Sequence, residues 1–240
     1  MENLSEKYYD EAWGQWDDMK SFGPASRHVR RIIMRMIQGL EFSTVLDAGC
    51  GVGTLIAALM QRYPQVQYTG TDISREGIER GKQKVGSANF QVLNLEKESL
   101  KKTFDLVLCI DVIEHIENDV KAIQQLKQMT KKHLLLVVPT GPLFEQERIS
   151  VGHVHGFSVK EVEEKLQHAG FSITKKISWG FPFYNLYRRL VMRLPASTVS
   201  GKYGFKKRVI SEAIYLLLFF NLPVGGERLF VLCETNNEDK

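Results

Sequence analysis

The feature that most constrains the fold of this chain is a glycine-rich turn that directly follows a short apolar segment. The stretch 45–55 reads V-L-D-A-G-C-G-V-G-T-L, and a helical pattern of apolar residues follows it. Gly49, Gly51 and Gly53 allow backbone conformations that a Cβ atom forbids, and they leave room for a ligand against the main chain. The pattern therefore predicts a buried strand, a cofactor-binding turn and the start of a helix.

The spacing of these glycines distinguishes between classes of cofactor. Dinucleotides are bound by G-x-G-x-x-G turns, whereas this turn reads D-x-G-x-G-x-G from Asp47. A second acid, Asp72, ends the strand-like segment 66–72, at the distance from the turn where α/β nucleotide folds place a ribose-binding carboxylate. Asp72 could instead cap the next helix, although Ser74 is available for that role. We expect a nucleoside-like ligand with its ribose on Asp72.

Strand-like and helix-like segments alternate five times along the first 140 residues. Apolar strand patterns at 45–48, 66–72, 89–95, 104–110 and 133–138 are separated by segments of helical periodicity. Such alternation is typical of a parallel sheet wound on both faces, with ligands at the carboxyl ends of its strands. Gly49, Asp72, Asn94 and Asp111 all fall at predicted carboxyl ends, and further strands are predicted at 171–178 and 229–233.

These motifs make the sequence similar to the class I S-adenosylmethionine (SAM)-dependent methyltransferases, in their small-molecule (methyltransferase type 11 or UbiE-like) branch. The resemblance rests on the glycine turn, on F-D-L-V at 104–107 and on the pair Glu114-His115, and it covers roughly 44–171. It implies an α/β fold with a doubly wound, mostly parallel, seven-stranded sheet. This fold carries N-terminal helices, and here also a helical insertion before the last strand.

The resemblance also implies how the cofactor SAM is held. Asp72 would bind both ribose hydroxyls, and Asn94 would receive the adenine amine on its carbonyl, although family members commonly carry Asp there. The loop after Ile110 would lie under the methionine part. Apart from the resemblance, we expect an aromatic residue of the first helix, Tyr8, Tyr9 or Trp13, to contact the sulfonium by a cation–π interaction. The complete expected contact set is Tyr9, Asp47, Gly49, Cys50, Gly51, Gly53, Asp72, Ile73, Asn94, Leu95, Ile110 and Asp111.

Two histidines are the candidates for a general base. His153 and His155 lie in the loop that follows the fifth predicted strand, and imidazole titrates near the working pH. Their spacing would place them on opposite sides of an extended segment, so only one should face the acceptor. Alternatively, they fasten the loop to the helix starting at Ser158. No metal is expected, because Glu114 and His115 are adjacent and their side chains would diverge by about 100° on a helix.

A long connection separates the last two predicted strands. Between Trp179 and Arg228 there are eight basic and two acidic residues, and two helical halves at 183–194 and 205–220. The apolar run 213–220 is too short to span a bilayer, which takes about 20 residues. It either fills the core as part of a lid or lies on a membrane surface. The predicted organisation is a helical cap (1–42), a SAM-binding core (43–178), this insertion (179–228) and a last strand with its tail (229–240).

Composition limits the remaining possibilities. The 240 residues carry a net charge of only +4, so no nucleic-acid partner is expected. Three separated cysteines and a polar start at 1–7 favour a cytoplasmic protein, with or without membrane association. The expected function is SAM-dependent O- or N-methylation of a small molecule or natural product. The alternatives are a lipid, quinone or lipid-linked acceptor at a membrane, and a SAM-binding module without turnover; the oligomeric state cannot be read from the sequence.

Overall fold

A computed structural model of the protein describes residues 6–235. The polar start predicted to lack an export signal and the end of the predicted tail therefore lie outside the described residues, apart from Glu6 and Lys7. Among the described residues, seven strands form one sheet in the order β3-β2-β1-β4-β5-β7-β6. The strands are β1 (Thr44–Ala48), β2 (Gln67–Asp72), β3 (Asn89–Val92), β4 (Phe104–Ile110), β5 (Thr130–Pro139), β6 (Phe171–Trp179) and β7 (Arg228–Thr235).

The sheet is parallel except at one edge, where β7 inserts between β5 and β6 and runs antiparallel to both. Its central strands are apolar on both faces because both faces are covered: every residue of Phe104–Cys109 is buried. The doubly wound, mostly parallel sheet predicted from the sequence is confirmed. β1 lies between β2 on one side and β4 on the other. The order in which strands are added to the sheet therefore reverses at β1, beside the glycine turn.

Nine α-helices of the described residues cover the two faces and the carboxyl edge. They are α1 (Glu6–Phe22), α2 (Pro24–Met36), α3 (Thr54–Arg62), α4 (Arg75–Lys84), α5 (Asp119–Met129), α6 (Glu145–Ser150), α7 (Val159–His168), α8 (Phe183–Val191) and α9 (Phe205–Leu217). Short 3₁₀ turns occur at Ile113–His115, Ala196–Thr198 and Leu218–Phe220. The apolar stripe Ile32, Ile33 and Met36 of α2 packs into the same core as β1 and β2, as its periodicity predicts.

Helix α1 is fixed across the carboxyl edge of the sheet. The Asp10 carboxylate accepts hydrogen bonds from the Ser74 hydroxyl at 2.5 Å and from the Glu76 N–H at 3.1 Å, at the start of α4. This carboxylate lies at the positive end of the α4 dipole, which stabilises the contact. The helix thereby becomes one wall of the space above the glycine turn.

The expectation that the apolar run 213–220 fills the core is wrong. Only Leu218 of that run is buried, whereas Leu216 is 57% exposed and Phe220 72% exposed. The reason is that polar contacts attach α9 to the first two helices: Ser211 Oγ donates to the carbonyl of Phe22, the last residue of α1, at 2.6 Å, and Arg27 of α2 pairs with Glu212. Tyr215 and Phe219 lie against His28 of α2, whereas Leu216, Leu217 and Phe220 stay exposed. Within 6–235, no helix combines the length and apolar character that crossing a membrane requires.

Candidate active site

A cavity of about 760 Å³ opens at the carboxyl ends of β1, β2 and β4. It is closed by α1, by α8 and by the loop after β5. Nine of the residues predicted to form the site line this cavity: Tyr9, Gly49, Asp72, Ile73, Asn94, Leu95, Ile110, Asp111 and His153. Residues far apart in sequence thus meet because parallel strands place their carboxyl ends at one edge.

Four other predicted contact residues, Asp47, Cys50, Gly51 and Gly53, are buried beneath the cavity wall and do not line it. The Trp13 ring lies over Gly51, where a Cβ atom would come within 2.1 Å of it. Gly51 therefore accommodates an aromatic ring of α1, and only Gly49 of the three glycines faces the cavity. Burial, together with the nearby Asp72 carboxylate, raises the pKa of Asp47 to about 7.

Asp72 is held rigidly in the cavity wall at the end of β2. Its Oδ2 accepts from the Gly51 N–H at 2.8 Å, and its Oδ1 accepts from the Ser74 N–H at 2.9 Å. Burial raises the pKa of Asp72, while these two N–H groups lower it. Each oxygen keeps a second lone pair for a ligand hydroxyl. Ser74 caps α4 by accepting from the Gly77 N–H at 2.9 Å, so Asp72 does not serve as the cap.

Asn94 has a structural partner. Its side-chain oxygen accepts from the Glu96 N–H at 3.0 Å, while the residue also lines the cavity. The oxygen predicted to receive an adenine amine is therefore already used once. One lone pair and the amide N–H groups remain for a ligand.

Asp111 follows β4 with a left-handed backbone (φ 56°), which is uncommon for a residue other than glycine. Its carboxylate pairs with Arg228, and Lys20 Nζ lies 3.6 Å away. Burial alone would raise the pKa of Asp111, but these two cations hold it below its usual value. Lys20 and Arg228 were missed from the sequence, because neither belongs to a motif and only the fold brings α1 and the start of β7 to this point.

Three side chains converge on the wall beside Asp111. One carboxylate oxygen of Glu114 and one ring nitrogen each of His115 and His153 all lie within 4.8 Å of one another. The expectation that Glu114 and His115 diverge is wrong, because they lie on a 3₁₀ turn and the loop after β5 closes over them. Glu114 is fully buried, and neither of its carboxylate oxygens has a hydrogen-bond partner.

Burial also shifts the pKa of each member of this cluster. It raises the pKa of Glu114 to about 8, with the Asp111 charge adding to the effect. It lowers the pKa of His115 to about 3 and that of His153 to about 4. In each case the low-polarity surroundings disfavour the charged form.

His155 lies outside the cavity lining, unlike His153. Its Nε2 faces the carbonyl oxygens of Ile116 at 2.9 Å and Glu117 at 3.1 Å, and its ring stacks on Phe157. The two histidines point in different directions, as their spacing predicts. His155 fastens the loop, which was the alternative to a catalytic role, and its position does not support its selection as a catalytic base.

The other end of the cavity is formed by the insertion. Its lining there is mainly aromatic and aliphatic: Tyr184, Tyr187, Val191, Met192, Leu194 and Tyr203. Arg188 anchors α8 to the sheet edge, because its guanidinium donates to both carboxylate oxygens of Glu147 at 2.8 Å and to the Thr140 carbonyl at 2.8 Å. A long connection signalled that this part is functional, but its individual lining residues carried no sequence motif.

The sheet order, the acid at the end of β2 and the cavity above them define an α/β protein of the nucleoside-binding class. A family described as methyltransferase domain matches residues 21–176, and this chain belongs to that family. The relationship predicted from the glycine turn and the following motifs is thereby confirmed.

Known proteins illustrate this relationship. The chain is 33% identical over 100 residues to probable (S)-tetrahydroprotoberberine N-methyltransferase 2 of Papaver bracteatum, covering 40% of this chain and 28% of that protein. It is 30% identical over 149 residues to a ubiquinone biosynthesis O-methyltransferase of Haemophilus ducreyi, covering 56% and 61%. Neither match reaches two thirds of the relative's length. N-methyltransferase NodS of Bradyrhizobium japonicum, solved with S-adenosylhomocysteine, shares the fold with a TM-score of 0.65 at 14% identity, covering 98% and 100%.

Proposed function

We propose that this chain is a SAM-dependent methyltransferase. The observation that supports this most directly is Asp72, a buried carboxylate fixed by two backbone N–H groups and facing a cavity large enough for a nucleoside and an acceptor. The residues present fit SAM: Gly49 lines the cavity with its backbone, Asp72 offers lone pairs to the ribose, and Asn94 and Leu95 would border the adenine end. The family's relatives named as methyltransferases support the same assignment.

SAM supplies an activated methyl group whose transfer needs only an aligned nucleophile. The protein's own residues would therefore act mainly by positioning and by excluding water, which can lower a barrier by several kcal/mol. Tyr9 lines the cavity beside His115, with ring centroids 6.0 Å apart, and offers an aromatic surface to a sulfonium. His153 lines the cavity and would contact the acceptor, whereas His155 does not line it.

The acceptor that fits best is a small molecule or natural product with an apolar or aromatic body. The insertion gives its end of the cavity three tyrosines, Tyr184, Tyr187 and Tyr203, together with aliphatic side chains. Such a lining stabilises an acceptor by burying its apolar surface. An oxygen or nitrogen of that acceptor would receive the methyl group near the polar wall formed by Asp111 and Glu114.

A membrane-bound acceptor is the second candidate, and the exposed surface of the insertion favours it. Apart from Val92, Val120, Ile149 and Val154, every exposed large hydrophobic side chain of the described residues belongs to the insertion. These are Phe181, Leu186, Leu190, Leu194, Phe205, Val209, Ile210, Leu216, Leu217, Phe219, Phe220, Leu222 and Val224. Basic residues accompany them, so the surface suits the face of an anionic bilayer and an acceptor with a lipid tail. A cytoplasmic location with peripheral attachment is consistent with three free, buried cysteines.

A labelled-methyl screen tests the proposed reaction. Purified protein is incubated with methyl-labelled SAM and separate aqueous and lipid fractions of cell extract, and mass spectrometry identifies the labelled product. We expect transfer to a small acceptor, with the fraction distinguishing the two candidates, and loss of transfer in Asp72→Ala. Binding of SAM by calorimetry without transfer to either fraction would contradict catalysis and favour the non-catalytic SAM-binding module.

A further inference from the structure

The Glu114, His115 and His153 cluster has the composition of a metal-binding site. A carboxylate and two imidazoles are a common ligand set for divalent transition metals. Bonds of about 2.0–2.2 Å to each ligand atom place such atoms within about 4.4 Å of one another. The three ligand atoms lie within 4.8 Å, so they need to close by only a few tenths of an ångström.

The unpaired carboxylate is an independent sign of a missing partner. Glu114 is fully buried, both of its carboxylate oxygens lack hydrogen bonds, and Nδ1 of His153 is also buried without a partner. Leaving such groups unpaired costs free energy, and a buried charge costs most. Lys20 and Arg228, the cations of this wall, are directed to Asp111. A cation bound between Glu114 and the two histidines would provide a partner for the unpaired carboxylate oxygens and for the unpaired ring nitrogen.

The surrounding backbone holds the cluster in place. Nδ1 of His115 lies 3.2 Å from the Gly152 carbonyl, which suits an Nδ1–H donor and leaves Nε2 for a metal. The Glu114 carbonyl accepts from the N–H groups of Val154 at 2.8 Å and His155 at 3.2 Å, which fastens the loop that carries His153. These hydrogen bonds therefore hold the His115 ring and the loop that carries His153 in place.

We propose that Glu114, His115 and His153 bind a divalent transition-metal cation whose open positions face the acceptor part of the cavity. This proposal rests on the proposed methyl transfer for its role. A hydroxyl of the acceptor on the cation would lose its proton to water more readily. The oxygen lone pair would form the bond to the methyl carbon, and the carbon–sulfur bond would break with its electrons left on sulfur. The cation replaces the general-base role predicted for His153, and it reverses the expectation that no metal is bound.

Cobalt titration tests the site directly. The full chain is stripped with a chelator and titrated with Co²⁺ without SAM or acceptor, following the visible absorption of the bound ion. We expect one equivalent with the spectrum of mixed nitrogen and oxygen ligation. Affinity should fall at least about tenfold in Glu114→Gln and in His153→Ala. His168→Ala is the control, since this histidine is exposed at the end of α7 and does not line the cavity, and its affinity should equal that of the wild type.

Absence of Co²⁺ binding by the wild type, or equal binding by Glu114→Gln and His153→Ala, would overturn the proposal. If these variants fail to fold by circular dichroism, anomalous diffraction from wild-type crystals soaked in Zn²⁺ decides. A peak between the three side chains supports the site, and a peak only elsewhere, or none, rejects it. Because the titration contains no SAM, its failure leaves the methyltransferase proposal intact. Conversely, a protein that binds Co²⁺ but not SAM would reject that function alone.

Discussion

At the scale of single residues, the proposed binding of SAM depends most on Asp72, which would hold the ribose. Replacing it with alanine removes the hydrogen bonds to the ribose, so SAM affinity should fall by about 1.5–3 kcal/mol, the scale for bonds to a charged group. Calorimetry measures this loss. Asp119→Ala is the control, because Asp119 is also a buried aspartate but pairs with Lys165 away from the cavity. Unchanged affinity in Asp72→Ala would remove this residue from the site.

The contact between Gly51 and Trp13 gives a second residue-scale prediction. Gly51→Ala should destabilise the protein through its left-handed backbone (φ 52°) and through collision with the Trp13 ring, measured by urea unfolding. Gly39→Ala (φ 88°) introduces similar backbone strain where nothing lies within 4 Å, so it should cost about 1–3 kcal/mol less. In the Trp13→Ala background the two substitutions should cost the same. A persistent excess for Gly51→Ala there would contradict the packing explanation.

The sequence predicted those site residues that belong to a motif and follow directly on a strand. Gly49, Asp72 and Asp111 face the cavity because the carboxyl ends of parallel strands meet at one edge. It could not predict that Trp13 covers Gly51, nor that Glu114 and His153 converge. Those contacts depend on how α1 and the loop after β5 fold back, and no local periodicity records such distances.

At the scale of elements, Asp105 joins the starts of β1 and β4. Its Oδ2 accepts from the Ser43 N–H and hydroxyl at 2.9 and 2.8 Å, and from the Thr44 N–H and hydroxyl at 3.2 and 3.1 Å. Burial would raise the pKa of Asp105, but these hydrogen bonds hold it well below its usual value. A depressed carboxyl pKa stabilises the folded state above the unfolded pKa of about 3.9, and this contribution is lost as pH falls further.

Asp105→Asn should therefore lower the free energy of unfolding at pH 7 by about 1.5–3 kcal/mol. The difference from the wild type should shrink as pH falls below about 4. Urea unfolding across that pH range measures it. Glu164→Gln removes an exposed carboxylate that pairs only with Lys160 on the same helix, so it should change stability by less than about 1 kcal/mol. A pH-independent effect of Asp105→Asn would argue against the charged form as the source of stability.

Arg188 connects the insertion to the sheet edge through Glu147 and Glu227, all three being buried. Arg188→Ala should cost about 3–5 kcal/mol of stability, because it leaves the Glu147 carboxylate buried without its cation and removes one of the two cations that pair with Glu227. Arg189→Ala should cost about 1 kcal/mol or less, since Arg189 is exposed and pairs only with Glu227. Chemical unfolding of both variants compares them. Equal small effects would show that α8 is held by its apolar contacts instead.

The insertion is only partly predictable from the sequence. Its length and both helices were predictable, as was its place before the last strand. The orientation of α9 was not, because its apolar residues outnumber those that one face can bury. The hydrogen bond of Ser211 to α1, the ion pair of Glu212 with α2 and the ring contact of Tyr215 with α2 together set which face is exposed.

At the scale of the whole molecule, the exposed apolar surface of the insertion predicts binding to anionic membranes. The protein should float with anionic vesicles at low salt and separate from them as salt screens the basic residues. Val209→Asp should weaken this association by placing a negative charge on that surface. Val120→Asp is matched in residue type and in exposure, 48% against 53%, but lies on α5, and it should have no effect. Equal behaviour of both variants, or no flotation of the wild type, would contradict a membrane role.

The central proposal, drawn from the fold, the cavity and the family, is that an adenosyl ligand binds between Gly49 and Asp72. A crystal structure of the full chain with S-adenosylhomocysteine measures this directly. The account predicts electron density for the ribose with both hydroxyls hydrogen-bonded to the Asp72 carboxylate, and the sulfur directed toward the wall that carries Asp111. Ligand density elsewhere, or none at saturating concentration, would contradict it.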